Sequence, residues 1–120
     1  VDDNRYRGER LLAEHFANKY EGENGRTWMV ANGAFEFYGH RAGIEQLLQP
    51  GMEPKPGDRV LVVREFEAIF RQLPISARCV AISVAEWSPD LPVQSHLQHG
   101  GFAISRRDTP FTQVTVYRVR

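Results

Sequence analysis

The sequence contains a single cysteine and no excess of charge of either sign. Cys79 alone cannot form an internal disulfide or a zinc site built from several cysteines. Fifteen basic residues balance fifteen acidic ones, so the chain lacks the basic surplus that usually neutralises nucleic-acid phosphates. We therefore expect the isolated chain to bind neither nucleic acid nor zinc with meaningful affinity.

Long apolar runs are also missing. The densest run is Val60-Leu61-Val62-Val63, whereas a bilayer-spanning helix needs roughly 20 apolar residues. The amino end reads Val-Asp-Asp-Asn-Arg and has no signal-peptide pattern. The 120 residues suit one domain. Because the chain begins with Val and not Met, we expect a domain that was processed or cut from a longer protein.

The motifs of common catalytic sites are absent. The sequence has no Gly-x-Ser-x-Gly nucleophile elbow, no Gly-Lys-Ser/Thr phosphate loop and no three-glycine dinucleotide pattern. His96 and His99 are three residues apart, a spacing that brings two imidazoles together only on a helix. No Asp, Glu or Cys pattern completes a ligand set. The sequence therefore indicates no catalytic residue, no metal site and no cofactor.

Hydrophobic spacing predicts alternating helices and strands. Leu12, Phe16 and Tyr20 have helical spacing. They follow the helix-cap candidates Asp2, Asp3 and Asn4. The other predicted elements are a strand at 27–31, a helix at 35–48, a strand at 59–63, a helix at 66–73, and strands at 77–87, 102–105 and 111–119. Residues 93–99 could form a short helix or an irregular loop.

This order predicts an α/β domain. Strands separated by helices favour right-handed crossovers, so we expect a three-layer α/β/α arrangement with a mostly parallel sheet. Its centre should hold at least three parallel strands, formed by residues 27–31, 59–63 and 77–87. The C-terminal residues should add one or two antiparallel strands at an edge.

The turn after the first strand is the best candidate for a ligand site, because ligands of open α/β sheets bind at the carboxyl ends of strands. Backbone N–H groups at Asn32-Gly33 and the dipole of the following helix could hold an anion, although a glycine in this context more often serves the turn alone. Phe35, Phe37 and Tyr38 cannot all face the core on one helix. We expect two of these rings in the core and one in a crevice near Asn32-Gly33. The candidate ligand-binding residues are Asn32, Gly33, Phe35 and Tyr38.

The order of several short motifs is similar to that of a known kind of domain. These motifs are Trp28, Phe35-Glu36-Phe37-Tyr38, Gly43, Pro56-Gly57-Asp58, Gly101-Phe102, Pro110-Phe111 and Tyr117. Together they resemble the soluble C-terminal, extracytoplasmic domain of bacterial polytopic membrane glycosyltransferases akin to dolichyl-phosphate-mannose-protein mannosyltransferases. Those enzymes take sugars from polyprenyl-phosphate donors.

The resemblance implies a non-catalytic accessory domain. In such enzymes the catalytic acid and the lipid-sugar site belong to the membrane region, so no catalytic residue passes to this chain. The implied partner is the membrane-embedded portion of a parent protein, with contact to a glycan or acceptor on the extracytoplasmic side. The alternative is a free-standing small α/β module that binds or senses a ligand near Asn32-Gly33 and Phe35. The sequence determines neither the sugar, nor the acceptor, nor the oligomeric state.

Overall fold

The computed structural model describes residues 3–88, 91–97 and 112–120, with side chains for 7–88 and 112–120. The helices of these residues are α1 (Asp3–Lys19), α2 (Gly33–Arg41) and α3 (Glu67–Gln72). The strands are β1 (Thr27–Val30), β2 (Glu45–Gln46), β3 (Arg59–Val63), β4 (Cys79–Ser88), β5 (Leu91–Leu97) and β6 (Thr112–Val119). Two 3-10 turns, Arg64–Phe66 and Pro74–Arg78, flank α3. None of the described helices combines the length and the apolarity that a bilayer crossing requires.

One mixed sheet joins the strands in the order β2-β1-β3-β6-β4-β5. Strand β1 is parallel to β2 and β3, whereas the β3–β6, β6–β4 and β4–β5 pairs are antiparallel. The prediction of an α/β domain is therefore confirmed, and the prediction of a mostly parallel sheet is wrong.

The position of β6 explains this correction. We expected this strand at an edge, but it lies in the centre, between β3 and β4. It buries Val114 and Val116 on one face and Tyr117 and Val119 on the other. Apolar surface on both faces needs cover on both faces, which an interior strand receives. Strand β4 consequently does not pair with β3, so the predicted central trio of parallel strands is wrong.

Two local predictions also change. The second helix was expected to reach Leu48, but it ends at Arg41, and Gly43 then adopts a φ of +92°. This left-handed turn returns the chain to the sheet as β2. Ile44 is therefore buried because the turn directs it into the core, and not because it lies on a helix. Residues 91–97 are a strand, neither helix nor irregular loop. The predicted strand at 102–105 lies outside the described residues.

An apolar cluster lies on each face of the sheet. On one face α1 and α2 contribute Leu12, Phe16 and Phe35 to the larger cluster. On the other face Phe70 of α3 packs with residues that include Val60 and Val62. The helices cover the two faces of the sheet unequally, since α3 has six residues and α1 alone has seventeen. Loops leave this framework at both ends of the strands, where ligands could reach polar groups.

The close approach of α1 to the sheet gives a testable prediction. A Cβ atom at Gly8 would lie 2.5 Å from Cε3 of Trp87 and 2.7 Å from Oγ1 of Thr112. A Cβ atom at Gly39, in α2, would lie 2.9 Å from Sδ of Met29, which is the flexible end of a side chain. We expect Gly8→Ala to lower the free energy of unfolding by about 2 kcal/mol through overpacking. Gly39→Ala should be nearly neutral in the same urea titration, and equal losses would contradict the account.

Candidate functional site

The predicted anion site at the start of α2 is occupied by the protein itself. Asn32 and Gly33 are exposed, and Gly33 has a φ of +65°. Asn32 makes no side-chain cap. Instead, Oε1 of the buried Glu9, in α1, accepts a hydrogen bond of 3.0 Å from the backbone N–H of Phe35. A carboxylate at a helix N-terminus satisfies both the free N–H and the dipole, so an external anion would have to displace Glu9.

Two aromatic rings of α2 face the core and one faces outward, as predicted, but the outward ring does not lie near Asn32-Gly33. Phe35 is fully buried and Tyr38 packs, half-buried, against the same cluster. Phe37 is the outward ring, 55 % exposed. The Arg41 guanidinium lies 5.6 Å from the centroid of the Phe37 ring. Phe37 therefore contacts the later part of α2 and not the Asn32-Gly33 turn. Phe35 has no exposed surface, so its side chain is not available to a ligand.

A second polar contact ties the same end of the sheet together. The Nε2 group of the buried Gln46 donates to the Ala31 carbonyl at 2.7 Å and to Oε2 of Glu36 at 2.9 Å. This side chain links β2 to the end of β1 and to α2. The side chain of Gln46 therefore joins three elements at this end of the sheet.

The opposite end of the sheet, where β1 and β3 begin, contains a buried carboxylate. Asp58 is 4 % exposed. It accepts hydrogen bonds of 2.9 Å from the backbone N–H groups of Arg26 and Lys55. A third, of 3.0 Å, comes from the Trp28 indole. Burial raises the pKa of this carboxyl, but the three hydrogen bonds and the charge of Arg59 outweigh burial and hold the pKa below its usual 3.8.

The neighbouring Arg59 is also buried, at 6 % exposure. Its Nε donates to Oγ1 of Thr27 at 3.2 Å. Its Nη1 and Nη2 donate to the carbonyls of Asn24 and Gly25 at 3.0 and 3.4 Å. The guanidinium lies 4.5 Å from the centroid of the Tyr20 ring, within the range of a cation–π contact. Asp58 and Arg59 thus organise the loops at this end.

Three crevices surround these two residues. The Tyr20 crevice, of about 470 Å³, is lined by residues that include Tyr20, Asn18, Arg26, Thr27, Gly43, Glu45 and Arg59. The Asp58 crevice, of about 530 Å³, is lined by Gly25, Arg26, Trp28, Glu53, Lys55 and Asp58. The Arg118 crevice, of about 460 Å³, is lined by Gly22, Glu23, Asn24, Gly57, Arg59 and Arg118. The sequence hypothesis missed this end because it followed the rule for strand carboxyl ends. The adjacent Asp58-Arg59 pair before an apolar strand was the available signal.

The described histidines do not form a metal site. His15 is half-buried in α1, and burial, followed by the charge of Lys19, lowers its pKa. His40 is exposed on α2. His96 lies in a strand, so the helical pairing with His99 has no helix to support it, and His99 is outside the described residues. Within residues 3–88, 91–97 and 112–120, no three potential ligands among His, Cys, Asp and Glu come together.

Two further titratable groups support the fold. Sγ of Cys79 donates to the carbonyl of Ile75 at 3.3 Å, and burial raises the thiol pKa despite nearby Arg78, so the nucleophilic thiolate is disfavoured. The Tyr117 hydroxyl donates to Oε2 of Glu67 at 2.8 Å. Burial and then this hydrogen bond raise the tyrosine pKa well above its usual value. The Tyr117 contact attaches α3 to the central strand.

Comparisons of the chain with protein-family models, with curated proteins and with solved structures found no match. Function is therefore inferred from the residues and their geometry.

Proposed function

We propose that this chain is a non-catalytic, extracytoplasmic accessory domain of a bacterial, polyprenyl-phosphate-sugar-dependent membrane glycosyltransferase-like protein. One observation supports this most directly. Trp28, Phe35, Asp58 and Tyr117, which belong to the motifs that resemble such domains, hold the elements of the fold together. The indole of Trp28 donates to Asp58, Phe35 is in the core, and Tyr117 holds Glu67. A motif that stabilises the fold can accompany a catalytic centre located elsewhere in the parent protein.

The buried polar groups support a role without chemistry of its own. Glu9, Gln46 and Asp58 each bond to backbone groups of other elements. Catalytic acids and bases need access to substrate, and these side chains are committed to the fold. The proposed task is to pack on the membrane-embedded portion of the parent protein and to help present its acceptor.

The Tyr20 crevice is the surface best suited to a glycan or other polar acceptor. Its volume falls in the range of roughly 300–1,000 Å³ that is usual for small-ligand sites. Asn18, Thr27 and the phenol of Tyr20 offer neutral hydrogen-bonding groups. Arg26 and Glu45 form an ion pair of 3.3 Å along its wall. Such a lining can match hydroxyl groups without favouring either charge.

Cell fractionation tests the proposal directly. An antibody raised against the 120-residue chain should detect, in the native bacterium, a much longer polypeptide that sediments with membranes. Protease added outside the cytoplasmic membrane should remove the epitope, since the domain is proposed to face outward. A free polypeptide of about this length in the soluble fraction would refute the accessory role. That outcome would support the second candidate, a free-standing binding module, which the Tyr20 crevice also favours.

A further inference from the structure

Two arginines face each other across the centre of the sheet. Arg59 of β3 and Arg118 of β6 are direct cross-strand partners in antiparallel register. Their side chains lie on the same face, and both line the Arg118 crevice. Like charges in directly opposed positions destabilise a sheet. This arrangement therefore costs stability unless an anion neutralises it.

Arg59 is also a buried cation whose guanidinium contacts no carboxylate of the described residues, although its charge does act on the neighbouring Asp58. Its three hydrogen bonds go to neutral oxygens, those of Thr27, Asn24 and Gly25. A guanidinium has five N–H groups, so donor capacity remains. Buried arginines are normally paired with a negative group. Across the part of the chain that the structure describes, no carboxylate forms an ion pair with Arg59 or Arg118.

The nearest acid in the sequence does not fill this role. The Asp58 carboxylate is turned to the other face of the sheet, where it binds the Trp28 indole and two backbone N–H groups. Glu23 lines the same crevice as the two arginines, but it is exposed. Two arginines and one glutamate leave the crevice with net positive charge.

We propose that the Arg118 crevice binds a small oxyanion, the carboxylate or phosphate group of a ligand. Arg59 is held in place by its carbonyl contacts and ring contact, and the exposed Arg118 can close on the same anion. Guanidinium groups suit this task because their planar N–H pairs match both carboxylate and phosphate oxygens. Gly22 and Gly57 leave the crevice wall free of side chains at two positions. This site stands apart from the proposed accessory role and does not depend on it.

Amide chemical-shift titration of the whole chain tests the site at constant ionic strength. The probes are inorganic phosphate, glucose 6-phosphate, glucuronate and, as a neutral control, glucose. At least one anionic probe should shift the amides of Gly22, Asn24 and Gly57 saturably and raise the midpoint of thermal unfolding, while glucose should not. The phosphate and glucuronate arms show which oxyanion is preferred. No saturable shift at millimolar concentration of any anion, or equal shifts with chloride, would overturn the proposal.

Matched variants locate the binding. Arg118→Gln should lower the affinity for the anion at least about tenfold, as expected for loss of a charge-assisted contact. It should also raise the midpoint of thermal unfolding of the ligand-free chain, because it removes the repulsion between the two arginines. Arg120→Gln is the control, because this exposed arginine is not among the residues that line the crevice, and it should bind as the unmodified chain does. Both variants avoid the buried Arg59, whose loss could unfold the loops. Unchanged affinity in Arg118→Gln would contradict the site.

Discussion

Phe35→Ala is expected to lower the free energy of unfolding by about 3–5 kcal/mol, the usual cost of removing a fully buried ring. Phe35 has no exposed surface and packs between α2, α1 and the sheet with residues that include Phe16 and Met29. Truncation would remove its apolar contacts and leave a cavity among side chains that other elements hold in place. Urea unfolding at neutral pH, with a constant m value, measures the loss.

The same helix provides the control. Phe37 is 55 % exposed, so Phe37→Ala should cost less than about 1 kcal/mol, from its contacts with Arg41 and with the edge of Tyr38. Tyr38→Ala should fall between the two because that ring is half-buried. Three equal losses would show that all three rings belong to the core, which would contradict the burial described for α2.

Asp58→Asn is expected to lower the free energy of unfolding by about 3 kcal/mol at pH 7, since unsatisfied buried donors cost roughly 1–3 kcal/mol each. Oδ1 of Asp58 accepts from Arg26, while Oδ2 accepts from both Lys55 and Trp28. An amide has only one acceptor oxygen, so at least one of these donors loses its partner. Urea unfolding of the variant and of the unmodified chain gives the difference.

The size of this difference should depend on pH in a defined direction. The pKa of Asp58 is lower in the folded chain than its usual 3.8. The stabilisation from its charged form is therefore complete above 3.8 and is lost as the pH falls from 3.8 through the folded pKa. The Asn variant has no such group, so the difference in free energy of unfolding between the two proteins should become smaller as the pH falls through this range.

Glu53→Gln is the matched control for the charge, because Glu53 is an exposed acid in the connection that leads to Asp58. It should change the free energy of unfolding by less than about 0.5 kcal/mol at both pH 7 and pH 3, as surface substitutions generally do. A gap for Asp58→Asn that stays constant from pH 7 to pH 3 would refute the role of the buried carboxylate.

Local pattern alone was sufficient for several elements. The spacing of Leu12, Phe16 and Tyr20 predicted α1, and the apolar runs around 27–31 and 59–63 predicted β1 and β3. These predictions hold because each depends on residues that are neighbours along the chain. The same reasoning gave two inward rings and one outward ring in α2, since a helix turns by a constant angle per residue.

Only the tertiary structure decided the arrangement of strands and the polar contacts. The sequence predicted an antiparallel C-terminal strand, which β6 is, but the place of β6 between β3 and β4 follows from which faces remain to be covered. Glu9 reaches Phe35 across 26 residues of sequence and Asp58 reaches Trp28 across 30. Such pairings are set by packing between distant elements, which no local periodicity records. For that reason the sequence pointed only to the Asn32-Gly33 end of the sheet, and the arginines at the other end became a candidate site only once β3 and β6 were paired.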